Sequence, residues 1–395
     1  MLTRKRRPAT LLLIIALLPI ILAACSADTG IFAGGTWQAG SLQNRHIRAL
    51  AVNANDTQTI YAADEQGHVF LSSDAGEHWT EHSSGLPLPV PVHMLTFDST
   101  GKKLYAATDK GLYVASDRVE HWQPLPATGA PATAYLSLDV DPAAPAHLFA
   151  GTAHQGVLIS RDGGATWTAV NNGLAPGTTV YSITFDANQH RLWAATSNGV
   201  YRTDEQAAAW QAMNKGLPAS TAAYTVQPAS LIGGDKNLVY LGTARGFYFS
   251  HDAGVNWSKA QENLSATTIH RILIDFRRSD ARTLFVATSV GAFRSSDGGQ
   301  TWGGIASGLP RQKPVYDLTL GGDNYSQLFA AVDNVYLYPS SGGGLSGSRI
   351  LIFLLVAALF FFLFQMTHRR RRRMLTSRPE TQQTVPPPTP PTSEH

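Results

Sequence analysis

A single cysteine, Cys25, occurs in 395 residues, so no disulfide can form within the chain. Clusters of His and Cys at metal-ligand spacing are missing, and so are a Gly-rich phosphate loop and a nucleophile elbow. We therefore expect neither metal nor cofactor. Runs with helical apolar periodicity are scarce in the long middle of the chain. Extended apolar runs occur only near its two ends. A basic excess is also missing where a binding domain would need it. Eleven of the 31 Lys/Arg and three of the 28 Asp/Glu lie outside residues 36–340, which leaves that region at about −5 although the whole chain is +3. Nucleic-acid binders usually carry a basic face, so that class of partner is excluded.

What fills the middle is a repeated turn. Ser160-Arg161-Asp162-Gly163-Gly164-Ala165-Thr166-Trp167 recurs around Asp74, Asp252 and Asp297, with Trp79, Trp257 and Trp302 closing the three copies. Two worn copies are Ser116-Asp117 with Trp122 and Thr203-Asp204 with Trp210. The aspartates are spaced 43, 45, 42, 48 and 45 residues apart. A period of about 40–50 residues means a propeller or solenoid. Asp-x-Gly between apolar runs signals a hairpin turn, because Gly supplies the positive φ. The Asp carboxylate can accept backbone N–H groups, the preceding Ser can extend that network, and the Trp opens the next strand with a large apolar area.

Segments rich in Val, Leu, Tyr, Phe and Thr, punctuated by Gly, Pro, Asn and Asp, argue all-β structure. Residues 180–185, 191–196, 199–202 and 210–213 read as four strands of one blade, and 135–140, 147–152, 156–159 and 167–170 as another. After the sixth turn, residues 315–320, 327–332 and 334–338 supply three strands and no fourth. Thr36-Trp37-Gln38-Ala39 matches Thr166-Trp167-Thr168-Ala169 but has no three strands before it. The N-terminal piece would complete the last blade, giving seven blades closed into a ring. Closure removes the free sheet edges.

The quoted turn is the Asp-box, and the chain resembles the Asp-box (BNR-repeat) β-propellers. Sialidases, two-domain xyloglucanases, sortilin-type receptors and a seven-bladed photosystem II assembly factor are relatives of that kind. The resemblance implies that the box turns lie on the blade periphery. Asp74, Asp117, Asp162, Asp204, Asp252 and Asp297 are accordingly expected to be structural.

The ends read as membrane signals. Residues 1–24 have a positive start (Arg4, Lys5, Arg6, Arg7), a short apolar run and small residues before Cys25, which resembles a bacterial lipoprotein signal with Cys25 as the lipidated residue. Residues 25–35 are a polar tether, 36–340 the propeller and 341–349 a Gly/Ser linker. Residues 350–367 are expected to form a transmembrane helix, slightly short of a core about 30 Å thick. Residues 368–395 form a basic and Pro-rich tail, placed in the cytoplasm by five consecutive arginines. The propeller is then extracytoplasmic at the cell membrane.

Function is expected on the face opposite the boxes. Near the starts of the inner strands stand Arg48, His93, Tyr181, Tyr224, His270 and Tyr316, with Leu136 in the third blade. Asp64, Asp109, Arg245 and Asp333 fall in the loops joining second to third strands. Such a polar-aromatic rim suits an extracytoplasmic protein or a glycan. The expected role is a binding scaffold, with assistance in assembling a membrane complex as its specific form. The alternative is a surface glycosidase, for which Asp64, Glu65 and Asp109 are the available carboxylates. The Phe-Arg-Ile-Pro motif of six-bladed sialidases is absent, and xyloglucanases place their carboxylates between two propellers.

Overall fold

The computed structural model describes residues 35–338, apart from 117, 127, 130–132, 205–208, 233–234, 261–263, 265 and 278–281. The signal, Cys25, most of the tether, the linker, the expected membrane helix, the tail and Asp117 lie outside the described residues. Among the described residues no helix is long and apolar enough to cross a membrane.

Seven four-stranded antiparallel sheets form the fold. Their inner strands are Ile47–Asn53, Val92–Phe97, Tyr135–Val140, Val180–Asp186, Ala223–Pro228, Ile269–Ile274 and Asp317–Gly321. The seventh sheet takes its fourth strand from the other end of the chain. Gln38–Ala39 pairs with Val335–Tyr338, Gln38 opposite Leu337 and Ala39 opposite Tyr336. All-β architecture, seven blades and closure by the N-terminal strand are therefore present.

Second strands are buried along most of their length, and along all of it in Leu148–Thr152, Val239–Thr243 and Leu284–Thr288. Each is covered on both faces by a neighbouring blade, so it loses the in–out alternation of a half-exposed strand. Apolar clusters consequently lie between blades. Phe149 and Ile159 of blade three pack with Ile183, Phe185 and Trp210 of blade four, and the Phe149 and Phe185 rings stack at 4.9 Å.

The box turns are built around the serine. Ser160 Oγ donates to Asp162 Oδ1 at 2.8 Å and accepts the buried Gly164 N–H at 2.8 Å. Ser72, Ser250 and Ser295 repeat this with Asp74, Asp252 and Asp297. The aspartate works from outside, where Asp162 accepts the Thr166 N–H at 2.9 Å and the Thr166 hydroxyl at 2.6 Å. Those Thr166 bonds and the Ser160 hydroxyl hold its carboxyl down at about 2. The worn copy at Thr203-Asp204 lacks the turn glycine, and the Thr203 hydroxyl is buried with no hydrogen-bond partner.

One sequence expectation needs correcting. The tryptophans precede the outer strands, which are only two residues long, as in Thr168–Ala169 and Gln211–Ala212. The reason is that the Trp backbone belongs to the neighbouring blade. Trp167 N–H donates to Thr128 O and Trp210 N–H to Asn172 O, both in the preceding blade. The same bond joins Trp122 to Ser84, Trp257 to Lys215 and, at the closure, Trp37 to Ser307. The next residue in the accepting blade is always glycine. At Gly308 φ is +91°, and an added Cβ would lie 2.2 Å from Trp37 O.

Two stability measurements test this. Gly308→Ala meets both a positive φ and that clash, so it is expected to destabilise the fold by several kcal/mol, at least about 3. Gly163→Ala, where φ is +73° but nothing lies within 4 Å, should cost only about 1–2 kcal/mol. Equal melting shifts for the two variants would refute the closure joint. Ser160→Ala strands the buried Gly164 N–H and should cost about 1–3 kcal/mol in denaturant titration. An unchanged midpoint would show that the serine is not the centre of the turn.

Candidate functional site

The inner strands share an irregularity that creates the site. Pairing with the second strand slips by one residue at Arg48, His93, Leu136, Tyr181, Tyr224 and His270. In blade seven the N–H of Tyr316 donates to Ala331 O, while Asp317 is the residue paired with Ala331. Each blade thus carries one surplus residue at the same level. A bulge bends its strand and re-aims the surplus side chain. Repeated around the ring, it turns seven side chains onto one cavity of about 410 Å³, lined by Arg48, His93, Leu136, Tyr181, Tyr224, His270 and Tyr316. The six inner-strand residues singled out from sequence are therefore brought together, with Leu136 completing the circle.

The ring has two halves. Tyr181 and Tyr224 lie with centroids 4.8 Å apart, and His270 and Tyr316 at 5.7 Å. The Arg48 guanidinium covers Tyr316 at 3.8 Å from the ring centre. It is held there by a 3.0 Å ion pair with Glu65. On the polar side His93 Nε2 lies 2.7 Å from Asp109 Oδ1. Burial, and then the nearby Arg48 charge, lower the His270 pKa and keep its imidazole neutral; its Nε2 is buried without a hydrogen-bond partner.

The four loop residues stand apart from the cavity lining. Asp109 reaches the ring through His93. Asp64 is buried and spent on its own turn, accepting the N–H groups of Gln66 at 2.9 Å and His68 at 2.8 Å and meeting His68 Nδ1 at 2.9 Å. Asp333 is bound by Lys313 and by the Tyr336 hydroxyl. Arg245 is exposed, with its N–H donated to Thr243 Oγ1.

A deeper level was not anticipated. Beneath the ring, Met94, Ser137, Ser182, Thr225, Arg271 and Asp317 narrow the channel. Here the carboxylates are structural. Asp317 Oδ2 accepts the Leu50 N–H of blade one at 2.9 Å, and Asp139 Oδ2 the Phe185 N–H of blade four at 2.7 Å. Burial pushes the Asp139 carboxyl up to about 6, against those hydrogen bonds and the field of Arg271. Such residues escape a period-two reading, because the bulge lets two successive residues face the channel. A metal-type grouping occurs on the box side: Asp74, Glu77 and His78 offer ligand atoms within 4.8 Å of one another. Asp74 is already paired with His78 at 2.6 Å.

Comparison with known proteins places this geometry. No protein-family model matches the chain. A xyloglucanase of Hypocrea jecorina (strain QM6a) is 34% identical over 210 residues, 51% of this chain and 21% of that enzyme. The chain thus spans about a fifth of the length of that curated relative. Among solved structures, YCF48 from Cyanidioschyzon merolae superposes with a TM-score of 0.60 at 14% identity, over 78% of this chain and 100% of that one. The chain has its fold. YCF48 bound to D1 peptide gives 0.59 at 14% identity, over 78% and 97% of the two chains. The GH74 xyloglucanase of Xanthomonas campestris gives 0.61 at 14% identity, over 80% of this chain and 55% of that enzyme. At such identities the structural likeness concerns the fold alone.

Proposed function

We propose that this chain is a membrane-anchored extracytoplasmic propeller whose channel mouth captures a segment of a partner protein, in aid of assembling a membrane complex. The observation that carries this reading is the ring: seven bulged residues, one per blade, line a single cavity. Five of its members are tyrosines or histidines, and one is an arginine. Aromatic and Arg side chains dominate the energetics of protein interfaces. The likeness to YCF48, solved with a bound peptide and matched over nearly its whole length, supports a peptide or protein partner.

The anchors fit this arrangement. Val335–Tyr338 runs away from the mouth, and Gln38–Ala39 runs antiparallel to it. Both ends of the described segment therefore leave blade seven on the box side. Lipid on Cys25 and a helix at residues 350–367 would follow from those two ends.

A second reading, a surface glycosidase, rests on the 34% identity to a xyloglucanase. Of the carboxylates suggested by sequence, Asp64 is spent on its turn, which leaves Asp109 with His93 and Glu65 with Arg48 for acid–base work.

Partner capture by the full-length protein tests the first reading. Tyr181→Ala with Tyr316→Ala is expected to weaken capture at least about tenfold with melting close to that of the parent. Unchanged capture would move the site elsewhere. Xyloglucan oligosaccharide turnover that Asp109→Asn abolishes would favour the hydrolase.

A further inference from the structure

Arg271 follows the bulged His270 and lines the shaft below the ring. Its Nε faces Asp317 Oδ1 at 3.4 Å. Its two terminal nitrogens make no hydrogen bond to any described residue, and the side chain remains 39% exposed. The same guanidinium acts on Asp139, which belongs to blade three, and on Asp317 of blade seven. Its charge is thus felt by a carboxylate of blade three as well as by one of blade seven.

The acids beside it are committed. Asp317 holds the N–H groups of Leu50 and Leu318, each at 2.9 Å, and Asp139 those of Phe185 at 2.7 Å and Val140 at 2.9 Å. Four backbone donors thus fix two carboxylates, and the arginine fork is the group left unspent. Above it open the Tyr181, Tyr224 and Tyr316 hydroxyls, which bond to no described residue, and the unpartnered Nε2 of His270. Arg48 stands over Tyr316 with Nη2 on Glu65. Hydrogen-bond donors predominate among the uncommitted groups. A guanidinium fork matches a carboxylate through two parallel N–H···O bonds. A cation would gain from the ring faces but would meet Arg48 and Arg271 before any uncommitted acid.

We infer that the mouth seats a carboxylate of its ligand on the terminal nitrogens of Arg271, with the adjoining part of the ligand stacked on Tyr181 and Tyr224. This rests on the mouth being the binding site. The carboxylate is either the terminal α-carboxylate of a polypeptide or that of an Asp or Glu residue.

Four probes decide between these: N-acetyl-tyrosyl-alanine, its C-terminal amide, N-acetyl-tyrosyl-aspartate amide and N-acetyl-tyrosyl-lysine amide. Each is titrated by ligand-observed NMR onto the full-length protein. At least one acid is expected to bind about tenfold or more tightly than the neutral amide. Preference for the first acid names a terminal α-carboxylate; preference for the aspartyl probe names an acidic residue. Arg271→Gln should abolish the acid–amide difference, and Arg271→Lys should restore part of it while keeping the charge beside Asp139 and Asp317. Tyr181→Ala should weaken acid and amide alike. Equal binding of acid and amide, tighter binding of the lysyl probe, or an acid preference that survives Arg271→Gln overturns the inference while leaving the mouth in place. Probes that bind but ignore Tyr181→Ala overturn the mouth reading as well. No binding of any probe at millimolar concentration overturns the carboxylate inference.

Discussion

The structure depends on the joint between adjacent blades. A propeller blade cannot bury both faces of its sheet alone, so its stability lies in how it meets its neighbours. Here the meeting point is a tryptophan backbone set against a glycine. The Trp N–H bonds to the carbonyl preceding that glycine, and the Trp carbonyl then comes so close that a Cβ at Gly173 would stand 2.2 Å from Trp210 O. In some blades the indole continues the contact, whereas Trp79, Trp167 and Trp302 turn theirs to their own box. Trp122 Nε1 donates to His82 O and Trp257 Nε1 to Met213 O, in each case across the blade boundary. Trp37 makes the same bonds to blade six, at Ser307 and Ile305. To its neighbour, the strand from the other end of the chain is an ordinary fourth strand. Ring closure is therefore one more copy of a repeated joint and needs no special device.

A rigid ring of this kind sets what each face can do. On the box face the turns are tied by serine, aspartate and a glycine whose N–H is buried, so their residues are fixed by geometry. On the other face the bulge frees one residue per blade from pairing. Its side chain is constrained only by the cavity it enters. Arg, His, Leu, Tyr, Tyr, His and Tyr occupy equivalent positions, a diversity that the box positions do not show. Loops and irregular residues on a rigid scaffold are where recognition usually resides.

This contrast also explains what could be read from the sequence. The box recurs in phase, so blade number, the missing fourth strand and its replacement by the segment at Trp37–Ala39 followed from counting. The six ring residues followed from their place at the start of each inner strand. The joint was equally visible and was missed. Gly85-Leu86-Pro87, Gly216-Leu217-Pro218 and Gly308-Leu309-Pro310 recur after the outer strands, at the positions where the Trp of the next blade docks. Asp64 stands apart from the ring for a local reason. Its carboxylate faces its own turn, and a loop position does not reveal that. Arg271 and Asp139 could not be placed, because alternation along a strand predicts one channel-facing residue in two and a bulge breaks that rule without leaving a mark in composition.

The buried acids add a last step. Asp139 and Asp317 link blade three to four and blade seven to one, each with an oxygen set on an N–H of the next inner strand. Comparable links use softer acceptors: the sulfur of Met94 for Leu138 N–H and the hydroxyl of Ser137 for Ile183 N–H. A carboxylate is a stronger acceptor but costs desolvation, which is why burial raises both carboxyl pKa values. The positive charge of Arg271 favours the ionised form of both acids and so offsets part of that cost. Arg271 therefore bears on two joints of the ring. A ligand carboxylate seated on its terminal nitrogens, as inferred above, would therefore also act on the scaffold's inner links.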